Sequence, residues 1–320
     1  AYPKSKPMLR HIIRRLLLAI PTLLVVVTII FLIVRVIPGN PAVAALGEYA
    51  SEDAVRALEQ QLGLDKPKWQ QYLDYMSDLA HGDPGRSMIN RRPAMDQIKF
   101  VLPYTLELTA AAMAIALALG IPAGVLTAVK RNTWPDYVGR VLSLAGLSAP
   151  SFYVGLLFIY FFAARLGWFP AIGAGDFHNI GKNLDTLVLP AVTLGLVETA
   201  YIARMTRSVM LNVLSEDYVR TARAKGLAER VVLSRHAIRP ALVPIVSLVG
   251  IFTISLIGNS VLVETVFARP GLGKLMVGAA DQRDYTMLQA VMIIYALIII
   301  VINIVVDIVY TFVDPRIRYD

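Results

Sequence analysis

The chain has 320 residues, 56% of them hydrophobic and only 17% charged, against about 25% charged in an average soluble chain, and its mean hydropathy is +0.59. It contains no cysteine, which excludes disulfide frameworks, thiolate nucleophiles and cysteine-based zinc sites. The formal net charge is +8, and where that charge lies decides between a nucleic-acid, a lipid and a topological explanation.

The apolar residues come in long uncharged blocks, and about 20 apolar helical residues cross a hydrocarbon core of about 30 Å. Residues 1–15 form a basic N-terminal segment, in which Met8-Leu9-Arg10 reads as a natural start and Ala1–Pro7 as an expression remnant. Leu16–Ile37 follows with a single charge, Arg35, near its end. This block is too long for a signal-peptide core and no small-residue cleavage site follows it, so it is expected to stay as an anchor. After residues 38–99 come Phe100–Val129 with only Glu107, Val141–Ala164 with no charge, and Leu187–Ala203 with Glu198. Ala241–Val263, uncharged, and Leu288–Val313, with Asp307, complete the series before a tail at 314–320. Prolines 21, 103, 122, 150, 190 and 244 fall in or near these blocks, as packed membrane helices tolerate. No ten-residue stretch alternates apolar with polar, so a membrane barrel is not indicated. The expected fold is an all-α membrane protein of six transmembrane helices.

Charge sets the topology. The segments before the first span, after the second, between the fourth and fifth and after the sixth hold 18 of the 31 lysines and arginines but only six acids, while the opposite side holds 12 basic and 14 acidic residues. The positive-inside rule then makes both termini cytoplasmic. The basic excess is explained as topology, and nucleic acid is discounted.

Two extramembrane stretches have structure of their own. The outer insert, residues 38–99, is too long for a simple connector. Ser51-Glu52-Asp53 predicts a helix start with Val55, Leu58 and Leu62 on one face before Gly63, and Pro67 opens a second helix with Trp69, Tyr72, Leu73, Met76 and Leu79 at helical spacing. Gly82-Asp83-Pro84-Gly85 stops it. This insert is read either as a cap packed on its own membrane helices or as a docking surface for an extracellular partner. On the inner side, residues 209–240 predict a helix capped by Ser215, acidic at Glu216 and Asp217, basic at Arg220, Arg223 and Lys225, and stopped by Gly226. A second short helix, Ala228–Ile238, is expected to end before Pro240. Between two membrane spans, such a helix pair meets a cytoplasmic protein or lipid headgroups rather than DNA.

The run Asp217-Tyr218-Val219-Arg220-Thr221-Ala222-Arg223-Ala224-Lys225-Gly226-Leu227 resembles the cytoplasmic coupling loop of ABC importer permeases, in the form found in the dipeptide, oligopeptide, glutathione and nickel branch. The general pattern is Glu-Ala-Ala, three residues, then Gly; here Arg220-Thr221-Ala222 stands in its place. Six further segments agree in order. They are Ile37-Pro38-Gly39-Asn40-Pro41 and Leu62-Gly63-Leu64-Asp65-Lys66-Pro67, then Gly82-Asp83-Pro84-Gly85-Arg86-Ser87 and Leu102-Pro103-Tyr104-Thr105-Leu106. The last outer loop, from Val263-Glu264-Thr265-Val266-Phe267 through Pro270-Gly271-Leu272-Gly273 to Arg283-Asp284-Tyr285, and the tail Asp314-Pro315-Arg316-Ile317-Arg318-Tyr319 complete them.

The resemblance implies a permease subunit in a bacterial inner membrane that pairs with a second, similar permease. It further implies two ATPase subunits carrying ATP and Mg, and an extracytoplasmic binding protein that delivers di- or oligopeptides or glutathione, with nickel complexes as the alternative. It assigns ATPase coupling to Asp217, Tyr218, Arg220, Thr221, Ala222, Arg223, Lys225, Gly226 and Leu227. On charge alone, those cations would serve equally well to hold anionic lipid.

No enzyme is expected. Gly271-Leu272-Gly273-Lys274 fails as a phosphate loop because Ala268 and Leu275 replace the required glycine and Ser/Thr. Cofactors are therefore expected on partner subunits and none on this chain. Histidines 11, 81, 178 and 236 lack metal-ligand spacing. Among the charges within spans, Glu198 is the candidate for the translocation path, with pairing to Arg35 or a protonated packing role as alternatives. Glu107, in the first turns of its span, and Asp307 read as interfacial or packing groups. A self-sufficient secondary transporter or channel is the rival reading, though no internal repeat supports it. A membrane scaffold or sensor whose outer segment binds ligand is a further rival.

Overall fold

The structure, a computed structural model, describes residues 8–36, 41–47, 50–177 and 179–313. The turn at Pro38-Gly39-Asn40, His178 and the tail after Val313 lie outside the described residues, as do the side chains of His11, Arg35 and Asp307. All described elements are helical, and the strand-like contacts among them are two isolated bridges, Arg86 with Pro93 and Asp176 with Asn179.

In chain order the helices are α1 (Met8–Val36), α2 (Pro41–Leu46), α3 (Glu52–Gln61), α4 (Lys68–Ala80), α5 (Ala94–Val129), α6 (Trp134–Ser148) and α7 (Ser151–Phe158). They continue with α8 (Ile180–Leu214), α9 (Asp217–Ala224), α10 (Glu229–Val231), α11 (Arg239–Val266), α12 (Leu272–Asp281) and α13 (Tyr285–Val313). Helix α7 runs on as a π-helical stretch, Ile159–Arg165, and α10 as another, Val232–Ile238. Five helices are long and apolar enough to span a bilayer: α1, α5, α8, the continuous helix Glu229–Val266 and α13. A sixth span arises if α6 and the α7 segment through Arg165 count as one.

That pair departs from the expected straight span Val141–Ala164. Its two halves meet at 99°. Ala149 and Pro150 both take extended backbone angles at the break, because the proline ring disfavours the helical conformation of the residue before it. The expected stop before Pro240 is also corrected. Residues Val232–Ile238 adopt π-helical turns and Arg239 continues in helical conformation into α11. A wide turn, whose hydrogen bonds skip the i−4 carbonyl, absorbs the donor that proline lacks and lets the helix run through.

The chain forms two compact units. One is built on Tyr104–Arg269 and the other on Arg14–Pro103 with Pro270–Ile300. At the centre of the first is α8, the most buried of the long apolar helices. Against it, α5 presents small residues every fourth position, Ala112, Ala116, Gly120, Gly124 and Ala128, all buried. A Cβ on Gly120 would lie 2.9 Å from the Ile202 side chain, and one on Gly124 only 2.5 Å from that of Thr206 and 2.6 Å from the Ala203 carbonyl. In return, a Cβ on Gly195 of α8 would lie 2.9 Å from the Ala112 carbonyl. Lipid offers no hydrophobic drive between helices, so close backbone approach and dispersion hold them. Leu108, Leu194, Leu256 and Phe267 fill the core around this contact.

In the second unit the expected insert helices form. The Ser51 side chain accepts from the Ala54 amide and caps α3, and Leu58 is buried. On α4 the inward face is Tyr72, Tyr75, Met76 and Leu79, packed on α1. Tyr72 shares a 2.7 Å hydrogen bond with Thr28, and its ring lies edge-on to Phe31. Trp69 and Leu73, placed by spacing on the same stripe, are exposed instead. At 100° per residue they lie on its edge, and the two tyrosines fill the contact.

Candidate coupling surface and buried polar groups

The coupling-loop residues lie together on α9 and the turn that follows it. Ser215, expected as the cap of this helix, instead ends α8, its hydroxyl donating to the Asn212 carbonyl; Glu216 takes the N-cap position of α9. Val219 and Ala222 face inward and pack with Val232 against Val213 and Leu214 at the end of α8. Asp217, Tyr218, Arg220, Thr221, Arg223 and Lys225 face outward. Apolar residues at i and i+3 thus seat the helix, while the polar face is left exposed.

The turn after α9 is rigid for an identifiable reason. Gly226 has φ +77°. Its amide donates to the Arg223 carbonyl at 2.9 Å and the Leu227 amide donates to the Ala222 carbonyl at 3.4 Å, which together form a Schellman cap. Arg223 then closes the turn with both ends of its guanidinium fork, Nε to Glu229 Oε2 at 3.1 Å and Nη2 to Oε1 at 2.7 Å. The hydrogen bond from Arg223 holds the Glu229 carboxyl below the usual carboxylate range. Burial, helped by the nearby Glu216 carboxylate, raises the Tyr218 hydroxyl. The Arg223 fork is thus occupied within the chain. Arg220, 3.6 Å from Asp217, and Lys225 stay on the exposed face.

Between α6 and α8 lies an ion pair that sequence reasoning passed over as one loop charge among many. Asp136, fully buried at the start of α6, accepts from Arg207 of α8 at 2.8 and 3.0 Å and from the Asn132 amide at 2.9 Å. The signal available was its place one residue after Pro135, in the first turn of a helix, where an acid complements the dipole.

Glu198 lies on α8, 1% exposed, with Oε2 unpartnered among the described residues. Glu107 is far from the first turns of its helix, because α5 starts at Ala94. It binds Arg269 Nη2 and the Asn183 carboxamide. Glu264 accepts from Thr105 at 2.7 Å and Ser260 at 3.3 Å, and the fully buried Arg269 lies 5.4 Å over the Tyr104 ring. Neither Glu264 nor Arg269 was singled out from sequence, since both read as loop charges just past an apolar block. No group of three or more His, Asp or Glu side chains among the described residues is placed to hold a metal.

Residues 120–319 match the family model of the binding-protein-dependent transport system inner membrane component, and residues 8–109 match its N-terminal companion. The chain belongs to this family. It is 41% identical to the dipeptide transport system permease protein DppB of Alkalihalophilus pseudofirmus and 42% identical to the glutathione transport system permease protein GsiC of Escherichia coli K12. Each alignment covers 98% of this chain and all of the relative. The fold is shared with an inward-facing structure of the MetNI methionine ABC transporter, at TM-score 0.58 and 21% identity over 69% of this chain and 97% of that one. The chain is thus a membrane transport component, as the coupling-loop resemblance implies.

Proposed function

We propose that this chain is the permease subunit of an ATP-powered importer, forming half of a translocation path for di- or oligopeptides or glutathione in a bacterial inner membrane. A second, similar permease would supply the other half, two ATPase subunits with ATP and Mg the energy, and an extracytoplasmic binding protein the substrate. Both termini would then be cytoplasmic and the α3–α4 insert outside, as the distribution of lysine and arginine suggests.

The observation that carries this reading is the exposed polar face of α9, mounted on a rigid turn and seated on the ends of α8 and of the long helix Glu229–Val266. Motion imposed on α9 enters two membrane helices directly, as a lever requires. The full-length likeness to the named dipeptide and glutathione permeases supports the substrate class.

The test is purification of the chain from its native membranes in mild detergent, with every co-eluting protein identified by mass spectrometry. Two nucleotide-binding subunits and a second permease are expected, with peptide uptake in proteoliposomes that requires ATP. A chain that elutes alone and moves solute without ATP would make it a secondary transporter and overturn the proposal.

A further inference from the structure

Two surfaces of the second unit are left unused by the proposed function. One is a pocket of about 300 Å³ lined by residues from 87–101 and 270–287, whose acid, Asp284, is already bonded to Ser87 and to the Met88 and Met287 amides. The other is a flank of α4 on which Trp69 is 66% and Leu73 56% exposed.

The depth of α4 follows from the two helices it packs on. Arg15–Val34 of α1 has 20 residues, which at 1.5 Å per residue reach about 30 Å, the thickness of the hydrocarbon core. The register of α1 therefore has no slack, with Arg15 at one boundary and Val34 at the other. Val34 packs with Tyr285, the first residue of the apolar span Tyr285–Val306 in α13, so both helices put the boundary at one level. Helix α4 lies below it. Tyr72 meets Thr28 and Phe31, and Tyr75 meets Phe31. Tyr75, Met76 and Leu79 join Val27, Ile30 and Ile293 in one cluster. Thr28 is about 9 Å inside the end of its span, and Ile293 about 12 Å inside its own.

The surface of α4 suits a boundary between lipid and water. At 100° per residue, Trp69, Leu73 and Ala80 fall within about 40° of one another beside the contact with α1, whereas Asp74 and Asp78 lie at least about 100° further round. Leu24, Val25 and Ile29 of α1, at the same depth, are exposed apolar side chains. The Tyr72–Thr28 contact needs no water. Thr28 donates its one hydroxyl proton to the Leu24 carbonyl at 2.7 Å, so Tyr72 is the donor to Thr28. The opposite flank does need water, because carboxylates at this depth are costly in hydrocarbon; there Asp74 pairs with Lys66 at 2.7 Å, both about half exposed.

We infer that α4 is sunk into the leaflet at the C-terminal end of α1, with Trp69 and Leu73 seated among phospholipid acyl chains below the headgroups and Asp74 and Asp78 turned to a water-filled recess. Only the crossing of the bilayer by α1 and α13 is required, so this placement holds for either orientation of the chain and without the importer reading.

Because the chain has no cysteine, a single introduced cysteine carries a nitroxide label at one position. Leu24→Cys, Trp69→Cys, Leu73→Cys and Asp78→Cys replace exposed side chains, so the label needs no repacking. Each full-length variant would be reconstituted in vesicles of phosphatidylethanolamine and phosphatidylglycerol, with a water-soluble nickel chelate on both sides. Saturation of the electron paramagnetic resonance signal compares collisions with oxygen, which concentrates in hydrocarbon, and with the chelate, which stays in water. The oxygen-to-nickel ratio at residues 69 and 73 should, like that at residue 24, exceed the ratio at residue 78 at least about threefold.

Residues 69 and 73 as open to nickel as residue 78 would mean that α1 and α13 project into water there. Labels shielded from both reagents would mean a protein cover, such as a second permease. Either result would overturn the placement in lipid.

Discussion

At the scale of single residues, the charges that matter most are those whose partners lie within the chain. Arg223 and Glu229 form a two-pronged bridge across the turn after α9. Reversing one charge leaves two like charges facing each other, so Arg223→Glu should uncouple ATP hydrolysis from uptake, and the swap Arg223→Glu with Glu229→Arg should restore it. A swapped pair that stays uncoupled would assign Arg223 to a direct contact with the ATPase. The same bridge has a pH signature. Because the Glu229 carboxyl titrates lower in the folded loop than when free, its contribution is complete above the usual carboxylate range of about 4.3 and fades as pH falls through the lowered value. Hydrogen exchange of the α9 amides should therefore be flat between pH 8 and 5 once corrected for intrinsic rates, and accelerate only below that.

Arg269 makes a second case. Arg269→Met strips the counter-ion from Glu107, and breaking a buried pair costs about 3–5 kcal/mol. The low end is expected, because the Glu107 side chain keeps 23% exposure. Adding Glu107→Gln should recover part of the loss, read as thermal unfolding in detergent. Sequence could not show this pair: 162 residues separate its members, and no periodicity links a loop arginine to a helix carboxylate.

At the scale of elements, the legible features were those carried by local chemistry. Apolar runs located every long helix, and the glycine after α9 marked its end. Gly226 permits a graded test. Its φ of +77° costs a residue with a Cβ about 1–2 kcal/mol, while open space surrounds it. Gly226→Asn, which tolerates the left-handed region, should keep coupling, and Gly226→Val should lose it, with ATPase activity persisting in both. What spacing could not show were departures forced by neighbours. The wide turn that carries the helix past Pro240 and the loss of Ser215 as a cap both depend on how adjoining helices meet. The small-residue ladder of α5 was present in the sequence but had no meaning until α8 lay against it. Gly124→Leu should destabilise by about 1–3 kcal/mol, as overpacking does, because the nearest atoms include the Ala203 carbonyl, which cannot step aside.

At the scale of the whole molecule, three features fit a part built to be moved by others. It belongs to a family of membrane transport components, its exposed α9 face is polar, and α9 is seated on the end of the long helix α8. The sequence conveyed this role through ordered motifs along nearly the whole chain, while the pocket of the second unit escaped notice because the two segments that line it lie far apart along the chain. Large apolar side chains left exposed on α6 and α7, such as Val141, Leu142, Leu144, Phe152 and Tyr153, suit a lipid or other apolar environment.

The right-angled break between α6 and α7 has a further consequence. Each arm, Trp134–Ser148 and Ser151–Arg165, has 15 residues and reaches about 22 Å at 1.5 Å per residue, short of the about 30 Å hydrocarbon thickness. Neither arm can cross alone. Counted as one span, the pair would put its elbow at depth, where the carbonyls it frees need shelter that hydrocarbon cannot give. Such a joint is a seam: whatever covers it, protein or a thread of water, is drawn to that level of the bilayer.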